Sequence, residues 1–537
     1  MKKMKILAIT LIASLTLVGC DTKKSNDIKT NIEKSAINSE YINLTMVKPE
    51  TINPIINKDK SVGYIMNLIY DGLFTIDENY NVVPELVEEY GIAQDGMSID
   101  IKLKDANWHN GDTLTAQDVE YSIDLIKKNV DSPYKLLTDN ISSVSVNNEK
   151  ELTIKFKSKY AFSIDTLIFP IVSKNQLYKG NINEDKVNLI GNGPYKIEKY
   201  GIREGMILSV NKDYYDELPS YTKNIKVGVV PDEEAQVSMV MALDSDITSI
   251  SLKDLSKFYE KEFNITKYEG RSYESVIFNY DNEFLRDINF RKFISYSINK
   301  DKILDEGYMG DANLVNFPLN SKSKYYNKDI KQLDYNKEKA KTYLEKVKPI
   351  TDKEKVKESN KNNKNLVKKG EKQNTESEVK NMISRLNLKI LVNKNNSERV
   401  KSAYLISENL KSMGIKSTIV QLVDKELDNA INSKDYDLAL VGWELSSIPD
   451  TKSILDKIGY NDKQLTDYIS SLMNATSQSQ IADIYKSLQK YVNNNVLFIS
   501  LVIRDEYIVT NRRLEGKIHP NDFDVYEGIT NLNIEDK

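Results

Sequence analysis

Three observations predict an α/β protein of two or three domains. The chain has 537 residues, far more than one ordinary hydrophobic core organises. Apolar content of 40% with 29% charged residues describes a globular chain rather than a disordered or membrane-filling one. In the C-terminal half, strand and helix patterns alternate. Leu386, Leu388, Ile390 and Val392 form a strand, then Val400, Ala403, Leu410 and Met413 share one helix face that Gly414 terminates. Ile415 to Val420 is a second strand, and Leu438 to Val441 is a short uncharged run typical of a strand covered on both faces.

That last run carries the candidate site. Gly442 breaks it, and Trp443, Glu444, Ser446 and Ser447 follow. Ligands of open α/β sheets sit beyond the carboxyl ends of strands, where an aromatic ring, a Gly and a few polar groups suit a small-molecule pocket. The same residues also read as a core Trp capping a sheet.

Composition narrows the chemistry. A formal charge of −4 lacks the basic excess that nucleic acid demands. One Cys and two His fall short of the three or four ligands of a Cys/His zinc site. HExxH, CxxC, Walker and GxSxG motifs do not occur. The expectation is a protein that is not an enzyme and uses no cofactor or metal, although 79 acidic residues leave a carboxylate-based site open.

At the amino terminus, Lys2, Lys3 and Lys5 precede an apolar stretch from Ile6 to Val18 that is short for a permanent span. Leu17-Val18-Gly19-Cys20 resembles a bacterial lipobox and contains the chain's single Cys. Cleavage before Cys20 would leave an acylated residue and a polar tether to about Glu40, anchoring the protein on the outer face of the cell membrane.

Along the body, Tyr41 to Met46 reads as a strand, Ser61 to Phe74 as a helix, and Ser98 to Leu103 as a strand. Asn110-Gly111 makes a turn into a helix whose N-cap is Thr115, with Asp118 returning the bond. Tyr335 to Val347 is a charged helix, and Val496 to Arg504 and Glu506 to Thr510 are the last two strands. Thr351 to Lys380 is nearly devoid of apolar residues and reads as a solvated insertion.

Seven stretches in register, from about Tyr41 to Glu527, resemble the family 5 extracellular solute-binding proteins, the oligopeptide- and dipeptide-binding lipoproteins of ABC importers. Trp108, Gly111, Thr115-Ala116 and Asp118-Val119 match the family signature. Thr51 to Pro54, Ile69 to Leu73, Pro170 to Val172, Gly191 to Tyr195, Phe278-Asn279 with Asp287 to Lys300, and Asp435 to Trp443 follow in the family's order.

The resemblance implies a two-lobed type II periplasmic-binding-protein fold with an extra subdomain on the first lobe. Its domains would be a signal peptide (1–19), lipidated Cys20 and tether (20–40), and lobe I (41–58, 185–275 and 505–537). The extra subdomain would be 59–184, and lobe II 276–504 with the insertion 351–380. It also implies a monomer that captures a peptide by hinge closure and passes it to an ABC permease with its ATPase subunits. Gly442, Trp443, Glu444, Ser446, Tyr134 and Asn279 would bind ligand. Tyr134, in Ser132-Pro133-Tyr134, reads equally well as a packed ring in a turn.

One departure matters. Oligopeptide-binding members carry an Asp after Gly-Trp that pairs with the peptide amino terminus, and here that position is Ser446. Glu444 is the expected replacement, with Trp443 as an apolar wall, because a carboxylate makes the stronger charge-assisted bond. The alternatives are the same fold binding a metal chelate or sugar, a peptide-sensing receptor, and a surface lipoprotein hydrolase.

Overall fold

The computed structural model describes residues 40–176, 189–216, 218, 223–258, 261–331, 333–350 and 375–534. These belong to one compact unit, Ser39–Lys537. The expected leader, Cys20, nearly all of the expected tether, and residues 351–374 of the expected insertion lie outside the described residues.

Two large hydrophobic cores organise the unit. The first gathers residues from Ile42 to Ile247, and then Ile508 to Ile534. It is covered by a four-stranded sheet in the order Tyr41–Val47, Asn224–Val230, Gly205–Val210, Tyr195–Gly201. A second four-stranded sheet, Val87–Ile92, Ser98–Leu103, Glu151–Phe156 and Ile141–Val146, packs into the same core.

The other core surrounds a seven-stranded sheet. Its strands run in the order Ile247–Ile250, Ile499–Asn511, Phe263–Phe278, Leu438–Glu444, Asn387–Asn393, Lys416–Leu422, and Ala312–Leu314 also pairs with Ile499–Asn511. Leu438 and Leu440 enter one cluster and Ala439 and Val441 the other, so this strand is covered on both faces, as its uncharged run predicts.

Two long strands join the halves. Phe263–Phe278 spans 16 residues and Ile499–Asn511 spans 13, and they pair antiparallel along most of their length. The expected break between Arg504 and Glu506 is absent: Ile499–Asn511 is one strand, with Asp505 opposite Glu269 and Arg504 opposite Ala312. The register shifts between Glu269 and Tyr273, which leaves Gly270, Arg271 and Ser272 out of the regular pairing.

The helix expected over Ser61 to Phe74 ends much earlier, as Lys60–Met66. Local carbonyls explain this. Leu68 O accepts from Tyr195 N–H at 3.0 Å, while Ile69 O accepts from the N–H groups of Asn192 and Gly193 at 3.0 and 2.9 Å. A Cβ on Gly191 would overlap the Ile69 carbonyl oxygen, so the close approach requires glycine. His109 holds the same turn: Nδ1 accepts from Gly191 N–H at 3.2 Å and Nε2 donates to Gly193 O at 3.0 Å. Burial lowers its pKa to about 4, consistent with a neutral ring serving both bonds.

The Thr115 cap forms as its sequence predicts. The Asp118 carboxylate accepts from Thr115 N–H at 2.9 Å and from Lys174 N–H at 2.9 Å, above the helix Ala116–Lys128. Trp108, 2% exposed, donates its indole N–H to the same carboxylate at 3.4 Å. This motif is a buried brace.

Candidate ligand-binding cleft

The strand Leu438–Glu444 does not stop at Gly442, because its ladder with Phe263–Phe278 continues to Ser272 opposite Glu444. Gly442 lies opposite Glu274, whose carboxylate takes a two-pronged ion pair from Arg399, with Nε–Oε2 at 2.5 Å and Nη2–Oε1 at 3.0 Å. A Cβ at 442 would collide with the guanidinium and lie 2.8 Å from Glu274 Oε2. Gly442 therefore makes room for a buried ion pair.

Trp443 stacks on Tyr273, with ring centroids 6.1 Å apart at 21°, against the aromatic cluster that holds Phe162 and Phe317. It borders neither of the two cavities described next, so the expected apolar wall is not formed by this ring. Glu444 is exposed and accepts from Ser272 Oγ at 2.5 Å. The Asn279 amide donates to Tyr436 O at 2.7 Å and to Lys434 O at 2.9 Å, tying two backbone segments together.

The open space lies further on. A small cavity of about 40 Å³ is lined by Tyr80, Arg271, Leu445, Ser446 and Ile448, among others. Ser446 Oγ accepts from Ile448 N–H at 3.1 Å and shapes this loop. Ser447 lines both this cavity and a much larger one of about 580 Å³, which falls within the roughly 300–1,000 Å³ range of ligand pockets. Tyr134 stands in the wall of the larger cavity, where burial pushes its hydroxyl up to about 12. Of the predicted residues, Ser446 and Tyr134 reach the open space, in different cavities.

The larger cavity is acidic and aromatic. Asp71, 3% exposed, accepts from the hydroxyls of Tyr214 and Tyr215 at 2.9 and 2.7 Å. Burial raises its carboxyl to about 7. Glu85 Oε2 accepts from Gly72 N–H at 2.6 Å, and desolvation followed by the neighbouring Asp71 holds it well above the usual carboxylate range. Asp524 is raised to about 8 by burial and then by Glu527, and Glu527 is itself raised by desolvation. Lys104 also lines the cavity, 3.6 Å from Asp216 and 5.1 Å from the Tyr215 ring centroid.

Arg271 lines the small cavity. Its Nε donates to Asp522 at 2.8 Å, its Nη1 donates to Leu445 O at 2.7 Å, and its guanidinium lies 4.3 Å from the Phe523 ring centroid. Tyr160 donates to Asp450 at 2.9 Å nearby. Sequence reading did not reach Asp71, Glu85, Tyr214, Tyr215, Asp524 or Arg271 as site residues. Asp71 stood in a quoted motif and Tyr214-Tyr215 is a visible doublet, but no spacing ties either to position 524.

Residues 81–466 match the family described as bacterial extracellular solute-binding proteins, family 5 Middle. The chain belongs to this family. The oligopeptide-binding protein AppA of Bacillus subtilis (strain 168) is 25% identical over 550 residues, 96% of each chain. The nickel-binding protein NikA of Staphylococcus aureus is 28% identical over 352 residues, 64% of this chain and 66% of its own. The crystal structure of the ABC transporter substrate-binding protein CtaP from Listeria monocytogenes shares the fold at a TM-score of 0.70 and 21% identity, over 92% of this chain and 99% of that one. This family 5 protein therefore has the two-lobed type II periplasmic-binding-protein fold that its motifs imply. The two strands Phe263–Phe278 and Ile499–Asn511 connect its lobes.

Proposed function

We propose that this protein is the substrate-binding lipoprotein of an ABC importer, which captures peptides in the cleft between its lobes and delivers them to a membrane permease. The observation that carries the reading is the 580 Å³ cavity, walled by the segments around Asp71, Tyr134 and Tyr526 and reached by Ser447 after the Trp443 strand. Two crossing strands with an irregular register at Gly270–Ser272 suit hinge closure, in which binding energy selects the closed arrangement. A hydrated cavity can hold a peptide through its main chain while tolerating varied side chains. The B. subtilis relative, an oligopeptide-binding protein by name, supports the same cargo. Acylation at Cys20 would keep the loaded protein beside its permease.

Native mass spectrometry of the purified protein, followed by calorimetry with a short-peptide mixture, tests the cargo. Co-purified or titrated peptides support the reading. A bound metal chelate with no peptide binding would overturn it in favour of the chemistry named for the S. aureus relative.

A further inference from the structure

We propose that the solute held in the large cavity carries a positively charged ammonium or guanidinium group, seated among Asp71, Glu85, Asp524 and Glu527. This rests on reading the cavity as the ligand site and adds the charge class of its ligand. Five carboxylates line one void, at 71, 85, 216 and 524–527, and only Asp216 among them lies beside Lys104, at 3.6 Å. Among the described residues Lys104 is the one Lys or Arg in its wall, and it is turned toward Asp216 and the Tyr215 ring.

Burial raises these carboxyls first and their neighbours add to it: Asp71 acts on Glu85, and Glu527 acts on Asp524. An entering cation relieves that repulsion, whereas an anionic group would add to it. The rings of Tyr70, Tyr134, Tyr214, Tyr215 and Tyr526 share the cavity wall, and aromatic faces attract a desolvated cation. Among the described residues no three His, Cys, Asp or Glu side chains are arranged to hold a metal ion. The acidic groups are spread around the void, which fits a broad organic cation. This offers a second solution to the absent Asp at Ser446: the counter-charge comes from lobe I together with its extra subdomain.

The test is calorimetry on the whole protein at pH 8 with Ala-Arg-Ala, Ala-Gln-Ala and Ala-Glu-Ala. Ala-Arg-Ala should bind about tenfold more tightly than Ala-Gln-Ala, and Ala-Glu-Ala most weakly. N-acetylated Ala-Arg-Ala and Ala-Gln-Ala separate the two sources of cation: an arginine advantage that survives acetylation assigns the side chain, and equal affinities that both fall on acetylation assign the amino terminus.

In Glu85→Gln and Asp524→Asn the ratio of Ala-Arg-Ala to Ala-Gln-Ala affinity should collapse toward one. Both replacements keep a side-chain oxygen for the N–H groups of Gly72 and Tyr526, so the loops retain their anchors. Equal affinities that acetylation leaves unchanged, or an arginine advantage or acetylation loss that neither variant changes, would overturn the charge assignment and leave peptide binding standing. Failure of every peptide to bind would remove the peptide reading itself, and this inference with it.

Discussion

Gly442→Ala separates a structural from a ligand-binding role at the residue after the buried strand. Its φ lies in the ordinary negative range, so the backbone accepts alanine, and in a strand the change by itself would stabilise by about 0.5–1 kcal/mol. The added methyl instead meets the Arg399 guanidinium and the Glu274 carboxylate. Glu274 has a side chain only 3% exposed, and loss of its partner strands a charge there.

Breaking a buried pair costs about 3–5 kcal/mol, and rehydration of Arg399, 18% exposed, brings the expected loss to about 2–4 kcal/mol. Urea denaturation followed by circular dichroism measures it. A Glu274→Ala, Arg399→Ala background supplies the control, because there Gly442→Ala should be neutral or stabilising by about 0.5–1 kcal/mol. If Gly442→Ala kept full stability in the wild-type background while abolishing peptide affinity, the glycine would belong to the ligand and the ion-pair explanation would be refuted.

Other outcomes follow from the same contacts. Arg271→Ala removes two charge-assisted bonds that clasp Asp522 and the Leu445 carbonyl beside the small cavity, each worth about 1.5–3 kcal/mol when lost, although Asp522 keeps Lys60 at 2.7 Å. We expect weaker peptide binding and a larger radius of gyration by small-angle X-ray scattering, and an unchanged radius and affinity would contradict the clasp. Asp71 at about 7 and Asp524 at about 8 hold protons more tightly folded than unfolded, where both sit near 3.8. Their stabilisation is complete below the unfolded value and is lost as pH rises through the folded ones. The thermal midpoint should therefore fall between about pH 5 and pH 8, less steeply in Asp524→Asn, and a cationic peptide should restore most of the loss at the alkaline end. Cys20→Ala or globomycin should move the protein from the membrane pellet to the soluble fraction, and continued sedimentation with membranes would contradict lipid anchoring.

Much of the fold was legible along the chain because it rests on short-range pattern. Alternation and helical spacing marked Tyr41–Val47, Ser98–Leu103, Ser397–Ser412 and Leu438–Glu444, and the Thr115–Asp118 cap is a contact between residues three apart. Family motifs then supplied the two-lobed architecture, since Trp108, Asp118, Gly191 and Gly193 are needed by its internal braces. The helix from Lys60 ended early for a reason that spacing could not show, namely backbone bonds to a segment more than 120 residues away.

The site was less legible. Reading outward from Gly442 and Trp443 reached Ser446 and Ser447, which line open space. The side chains at 442, 443 and 279 are engaged by Glu274–Arg399, Tyr273 and two carbonyls, partners set by strand pairing and packing. By itself the sequence determined an α/β chain, its hydrophobic periodicities and a lipobox-like leader. Only the tertiary structure decided that Asp71, Glu85, Asp524 and Glu527 face one cavity. Charge acts through space with a reach of several ångströms, and residues hundreds of positions apart acquire a common field only when folding brings them to the same wall.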